Sequence, residues 1–176
     1  MKIIVRWMPA LLLGVALAQG PAVAAPGPTR CEAGPPAADG AAQQWSGDFD
    51  GDRKADRLWL LPPGSQPRAS GPVRDPWKDR LRRFDASALT LVVAASSPAA
   101  GCTLIQNRAF FATPIWEEGE KPLKVLVRSD PAARDWRRLA RGWRGDGVLL
   151  GTEAGVDVLL FWDGRRFRIA RSGELP

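Results

Sequence analysis

Histidine and tyrosine are absent from this chain, cysteine occurs twice, and no apolar run beyond residue 25 approaches the length of a membrane span. The lack of histidine removes the usual general base and the Ser/His and Cys/His nucleophile pairs. Two cysteines without histidine do not make an ordinary zinc site, and in the disulfide-permissive compartment that the export signal at the start of the chain implies, Cys31 and Cys102 are expected to pair. Acidic residues number 19 against 25 basic ones, a net charge of +6, and 20 of the 25 are arginine. GC-rich coding accounts for that arginine excess better than nucleic-acid binding does.

The start of the chain has the three parts of a secretory signal. Lys2 and Arg6 supply the positive region, Ala10 to Ala18 the apolar core, and Ala22-Val23-Ala24 an A-x-A cleavage site. Cleavage is expected after Ala24. The apolar core is well short of the ~20 residues of a spanning helix, and Cys31 lies too far from the cut for a lipid anchor. The mature chain is therefore expected in the periplasm or outside the cell, with no membrane span and a net charge of +4 once Lys2 and Arg6 are removed. Residues 25–44, rich in Ala, Gly and Pro, read as an irregular arm. Residues 45–176 read as one domain, a length that supports a single proper core.

Strand signals dominate that domain. The runs Leu58–Leu61, Ala88–Ala95, Cys102–Ile105, Ala109–Ala112, Leu123–Arg128, Val148–Thr152 and Val156–Trp162 are rich in apolar and β-branched residues and bounded by Pro, Gly or Ser. Asp163-Gly164 predicts a two-residue hairpin into Arg165–Ala170. In Leu123–Arg128 the apolar residues alternate with Lys124 and Arg128, which implies a sheet covered on one side. Asp75-Pro76, with Trp77, Leu81 and Phe84 at i, i+4 and i+7, predicts a short helix, and Asp130-Pro131 starts a second one. The fold class is mainly β, an antiparallel sheet or a small sandwich or barrel, with one or two short helices.

Candidate chemistry centres on Asp48-Phe49-Asp50-Gly51-Asp52-Arg53-Lys54-Ala55-Asp56. Its carboxylates at positions 1, 3, 5 and 9 would repel one another unless a cation, or the adjacent Arg53, Lys54 and Arg57, neutralised them. The segment from Gly47 to Leu58 resembles the calcium loop of FG-GAP/VCBS-type repeats, whose pattern runs D-F-D-G-D-G-x-x-D-L. The resemblance implies calcium held by Asp48, Asp50, Asp52 and Asp56 and by the Lys54 carbonyl. Arg53 stands where the family has its second glycine, and a left-handed backbone there would cost a non-glycine residue about 1–2 kcal/mol. The chain holds one such loop, and its length excludes a full β-propeller. An EF-hand is disfavoured because Trp59 occupies the twelfth position, where a bidentate glutamate belongs.

Two further clusters have both a functional and a plainly structural reading. Trp116-Glu117-Glu118-Gly119-Glu120 offers carboxylates for a glycosidase-type reaction on cell-envelope glycans, or is simply a solvated turn. Arg134, Arg137, Arg138 and Arg141 form either an anion-binding face beside Trp136 and Trp143 or the solvated side of an amphipathic helix. The expected function is an exported, non-catalytic binding or accessory protein with calcium as its one cofactor. Its partner is left open, with an envelope protein or a polyanion as candidates and nucleic acid disfavoured.

Overall fold

The computed structural model describes residues 31, 43–67, 69–111, 123–151 and 156–174. The signal segment, the arm from residue 32 to residue 42 and the Glu117–Glu120 cluster lie outside the described residues. Strand β1 (Gln43–Gly47) takes in the last two residues of the expected arm and pairs antiparallel with β2 (Asp56–Leu61). The acidic stretch is therefore a hairpin loop with a strand on each side.

β2 is followed by β3 (Val73–Asp75), β4 (Arg80–Arg82), β5 (Thr90–Ala94) and β6 (Cys102–Ile105), which complete a sheet of order β1-β2-β5-β6-β3-β4. Its pairings are antiparallel except β3 with β6. The second sheet is an antiparallel meander of β7 (Leu123–Leu126), β8 (Arg144–Leu150), β9 (Val158–Trp162) and β10 (Phe167–Arg171). Between β7 and β8 come a 3₁₀ turn, Pro131–Ala133, and helix α1 (Arg134–Leu139). The chain is thus mainly β, with two sheets and one short α-helix among the described residues.

Side-chain alternation builds the packing. Leu58 and Leu60 of β2, Leu91 and Val93 of β5, and Val158, Leu160 and Trp162 of β9 share one apolar cluster between the sheets. The alternate residues face outward, yet they are buried too. Leu159 and Phe161 lie under α1 with Trp136 and Trp143, while Trp59, Leu61 and Val92 pack with Cys102, Leu104 and Phe84. Sheets covered on both faces explain why β2, β5 and β9 are nearly continuous apolar runs. The one-sided sheet expected from Leu123–Arg128 is corrected in the same way: Leu123 and Val125 turn to the shared core, while Leu126 packs under α1.

Three local expectations are also corrected. The segment after Asp75-Pro76 is the β3–β4 hairpin, closed by Lys78 N–H donating to the Asp75 carbonyl at 3.2 Å, and is not a helix. Trp77 packs in a tilted pair with Phe110 and edge-on with Phe111, Leu81 is 61% exposed and Phe84 joins the outer cluster, so the three form no common stripe. Ala109–Phe111 is a turn rather than a strand, fixed by Asn107, whose side-chain oxygen accepts from Phe110 N and whose carbonyl accepts from Phe111 N. The β9–β10 connection has four residues, because Asp163 Oδ1 accepts from both Arg165 N and Arg166 N and Asp163 N donates to Arg166 O. The helix expected at Asp130-Pro131 is present, with Asp130 capping Ala132 N at 2.8 Å. Cys31 and Cys102 are disulfide-bonded. No helix among the described residues is long and apolar enough to cross a membrane.

Candidate metal centre

The β1–β2 loop is organised from its own backbone outward. Asp48 accepts from Gly51 N (2.7 Å) and Arg53 N (3.1 Å), Asp50 from Asp52 N (3.0 Å), and Asp52 from Lys54 N (2.8 Å). These side-chain-to-backbone bonds are what short Asp side chains do well in turns. They hold Gly51 at φ +82° and Arg53 at φ +69°, so Arg53 does occupy the left-handed conformation that its position demands of glycine.

The loop is then anchored on three sides. Phe49 inserts into the core between the sheets and is 1% exposed. The turn after β5 supplies Ser96 N to Asp56 Oδ1 (2.7 Å), Ser97 N to Asp50 Oδ2 (3.1 Å) and Ser96 Oγ to Asp52 Oδ2 (2.7 Å). From the second sheet, Asp146 N donates to the Asp48 carbonyl, while the Asp146 carboxylate accepts from Asp48 N at 3.0 Å and from Arg128 N at 3.3 Å. Gly145 sits against the same loop with φ +62°, where a β-carbon would strike the Asp48 carbonyl oxygen and lie 2.6 Å from Gly51 N. Replacing Gly145 by alanine is therefore expected to cost about 1–3 kcal/mol, measured by urea unfolding. A loss below about 0.5 kcal/mol, the size of an ordinary surface change, would show that the loop does not depend on this close approach.

Carboxylate oxygens of Asp48, Asp50 and Asp56 converge within 4.8 Å of one another, an arrangement that can hold a metal ion. Asp50 and Asp56 are buried and Asp48 is half-buried. Burial pushes the Asp56 carboxyl above its ordinary pKa; the Ser96 N–H opposes this, and the neighbouring Asp50 charge adds to the rise. Asp52 is not one of that trio; it accepts from Ser96 Oγ (2.7 Å) and pairs with Lys54 Nζ (3.4 Å), and the Ser96 hydroxyl holds its carboxyl below the ordinary carboxylate pKa. That pair is the loop's share of basic neutralisation. Among the described residues no Lys or Arg nitrogen lies within 4.0 Å of the carboxylates of Asp48, Asp50 or Asp56, and Arg53 and Arg57 are exposed.

Ser96, Ser97, Gly145 and Asp146 were not singled out by the sequence reading. A carboxylate between two glycines, Gly145-Asp146-Gly147, was the available signal for the second-sheet anchor. The four arginines of the expected anion-binding face differ in their surroundings. Arg137 donates to the carbonyls of Arg128 (2.6 Å) and Asp130 (3.1 Å), Arg138 pairs with Asp135 at 3.8 Å, Arg134 is exposed, and Arg141 lines a separate cavity. The tryptophans beside them, Trp136 and Trp143, pack on the second sheet.

Comparisons with protein-family models, with curated proteins and with solved structures give no match to this chain.

Proposed function

We propose that this is an exported, non-catalytic binding or accessory protein whose β1–β2 loop holds one structural calcium ion. The observation that carries the reading is the convergence of Asp48, Asp50 and Asp56 without a basic partner among the described residues. Three carboxylates so close together repel, and a hard divalent cation with oxygen ligands relieves that repulsion. Calcium suits the oxygen-only donor set, which the loop resemblance extends to Asp52 and the Lys54 carbonyl. Export is supported by the signal-like start of the chain and by the Cys31–Cys102 disulfide, which persists in oxidising compartments.

An ion here would act on the fold rather than on a substrate. The loop touches the turn after β5 in one sheet and the start of β8 in the other, so fixing it fixes how the two sheets meet. All three carboxylates would serve as ligands, which leaves none as a general acid or base.

Calcium at 100 times its dissociation constant should stabilise the native state by about 2.7 kcal/mol. For a domain of this size that raises the melting midpoint by roughly 5–10 °C. Extracellular calcium sites work at about 10⁻⁴–10⁻³ M, so thermal unfolding and titration calorimetry with about 10 mM calcium, set against chelator, read the effect. Asp50→Ala should abolish the shift. Superimposable melting curves together with no binding heat would remove calcium from the account.

A further inference from the structure

A second charged feature lies on another part of the molecule. Arg74 of β3, Arg141 after α1, Arg165 and Arg166 of the β9–β10 loop and Arg168 of β10 line one open cavity of about 600 Å³, together with Asp163. These residues come from both sheets and from the end of the helix. The tertiary fold brings Arg74 and Arg141 to the guanidinium groups of Arg165, Arg166 and Arg168, which are neighbours in sequence.

The carboxylates near the cavity are too few to balance them. Asp163 spends its Oδ1 on two backbone N–H groups and stands 3.9 Å from Arg168. Arg166 pairs with Asp79 at 2.8 Å. Arg74, Arg141 and Arg165 have no ion-pair partner among the described residues. Five guanidiniums against two carboxylates leave an excess of three positive charges, and a concave wall focuses that field on whatever enters.

We propose that this cavity binds a phosphate or sulfate ester carrying at least two negative charges. The planar fork of each arginine offers paired N–H donors that match the edges of a tetrahedral oxyanion. Asp163 acts as a positioning residue, since its bonds to Arg165 N and Arg166 N set the loop that presents both side chains. The cavity volume admits a ligand of small-molecule size or the end of a charged glycan.

Titration calorimetry with two probes at about 50 mM salt, where screening leaves the cavity charge effective, tests the proposal. Inorganic pyrophosphate represents a free ligand, and a sulfated heparin hexasaccharide represents a glycan-borne ester. Saturable binding of either probe is expected, weakened about tenfold or more by R74Q/R165Q and changed less than about twofold by the helix-face control R134Q/R138Q. Pyrophosphate binding assigns a free ligand, and binding of the hexasaccharide alone assigns a glycan. R141Q/R165Q is a second variant in which both replaced side chains are exposed, so the test survives if R74Q perturbs β3. The proposal is overturned by the absence of saturable binding of either probe at up to about 5 mM, by an equal loss in the helix-face control, or by binding that no cavity variant changes.

Discussion

Replacing Phe49 by alanine is expected to destabilise the protein by about 3–5 kcal/mol, although the residue belongs to a surface hairpin loop. Its ring is 1% exposed and belongs to the cluster that the two sheets share, with Leu58, Leu91, Ile105, Val148 and Leu150. Truncation removes the burial of an aromatic side chain and leaves a cavity in a close-packed core. A domain's whole stability is about 5–15 kcal/mol, so one such change uses a large part of it. Phe49→Leu keeps most of the volume and should cost less than about 1.5 kcal/mol.

The same substitution separates support of the loop from ligation. Phe49 N donates to Asp56 Oδ2 at 2.8 Å, and the residue lies between Asp48 and Asp50, so its ring fixes where those carboxylates stand. Under the calcium reading, Phe49→Ala should weaken the ion's binding without removing a ligand, whereas Phe49→Leu should nearly preserve it. Urea unfolding of both variants, followed by calcium titration of each below its transition, is the measurement. A loss below about 1 kcal/mol in Phe49→Ala would mean that the loop leaves the core at little cost, and the proposed link between ion and sheets would fail with it.

Phe49 also shows how far the sequence could be read. Its place in D-F-D-G-D marked it as part of a metal pattern, and nothing local revealed that the ring would plug the interface between two sheets. Strands with strong local signals were legible. Val158–Trp162 has five consecutive apolar residues, and the Asp163-Gly164 turn pointed to the hairpin that follows. The turn length was not legible, because it depends on Asp163 Oδ1 reaching two backbone N–H groups.

The helix expected after Asp75-Pro76 failed for a related reason. Asp75 is a strand residue whose buried carboxylate accepts from Asn107 Nδ2 at 2.8 Å, a partner 32 positions away, and β3 pairs in parallel with β6. A pattern window holding Trp77, Leu81 and Phe84 contains neither partner. In the candidate site, the aspartates that converge were all visible as a motif, whereas their anchors Ser96, Ser97 and Asp146 are brought in by strand order. Local chemistry marked the loop, and tertiary pairing decided which of its carboxylates face one another. Asp52, equal to the others in the motif, is not in the converging trio and accepts from Ser96 Oγ on the neighbouring turn.

Opening the Cys31–Cys102 bridge should cost about 4 kcal/mol in the chain-entropy account, since the bond closes a separation of 71 residues. The structure adds a local consequence to that global one. Cys102 is buried on the outer face of the first sheet beside Trp59, Leu61 and Val92, and Cys31 packs against the same cluster and bridges Ala69. Gly71 passes so close to Cys102 that a β-carbon there would strike the Cys102 carbonyl oxygen. Without the bridge, the contacts that hold Cys31 among the described residues are one isolated β-bridge, its Sγ against the Val93 carbonyl at 3.8 Å and the edge of that cluster. Reduction is therefore expected to free Cys31 from that cluster and expose part of the outer face. The second sheet, whose pairings involve neither β2 nor β5, should stay formed in the reduced native state, together with the bond from Asp48 of the acidic loop to Asp146. Urea unfolding of the oxidised and reduced protein reads the total, and hydrogen exchange reads its distribution. Lost protection in β2 and β5 with β8 and β9 unchanged would match this account, whereas uniform loss would mean that the bridge supports the whole fold and not one face of it. The C31A/C102A variant should reproduce the reduced state, with an added cost for the smaller side chain at the buried position 102.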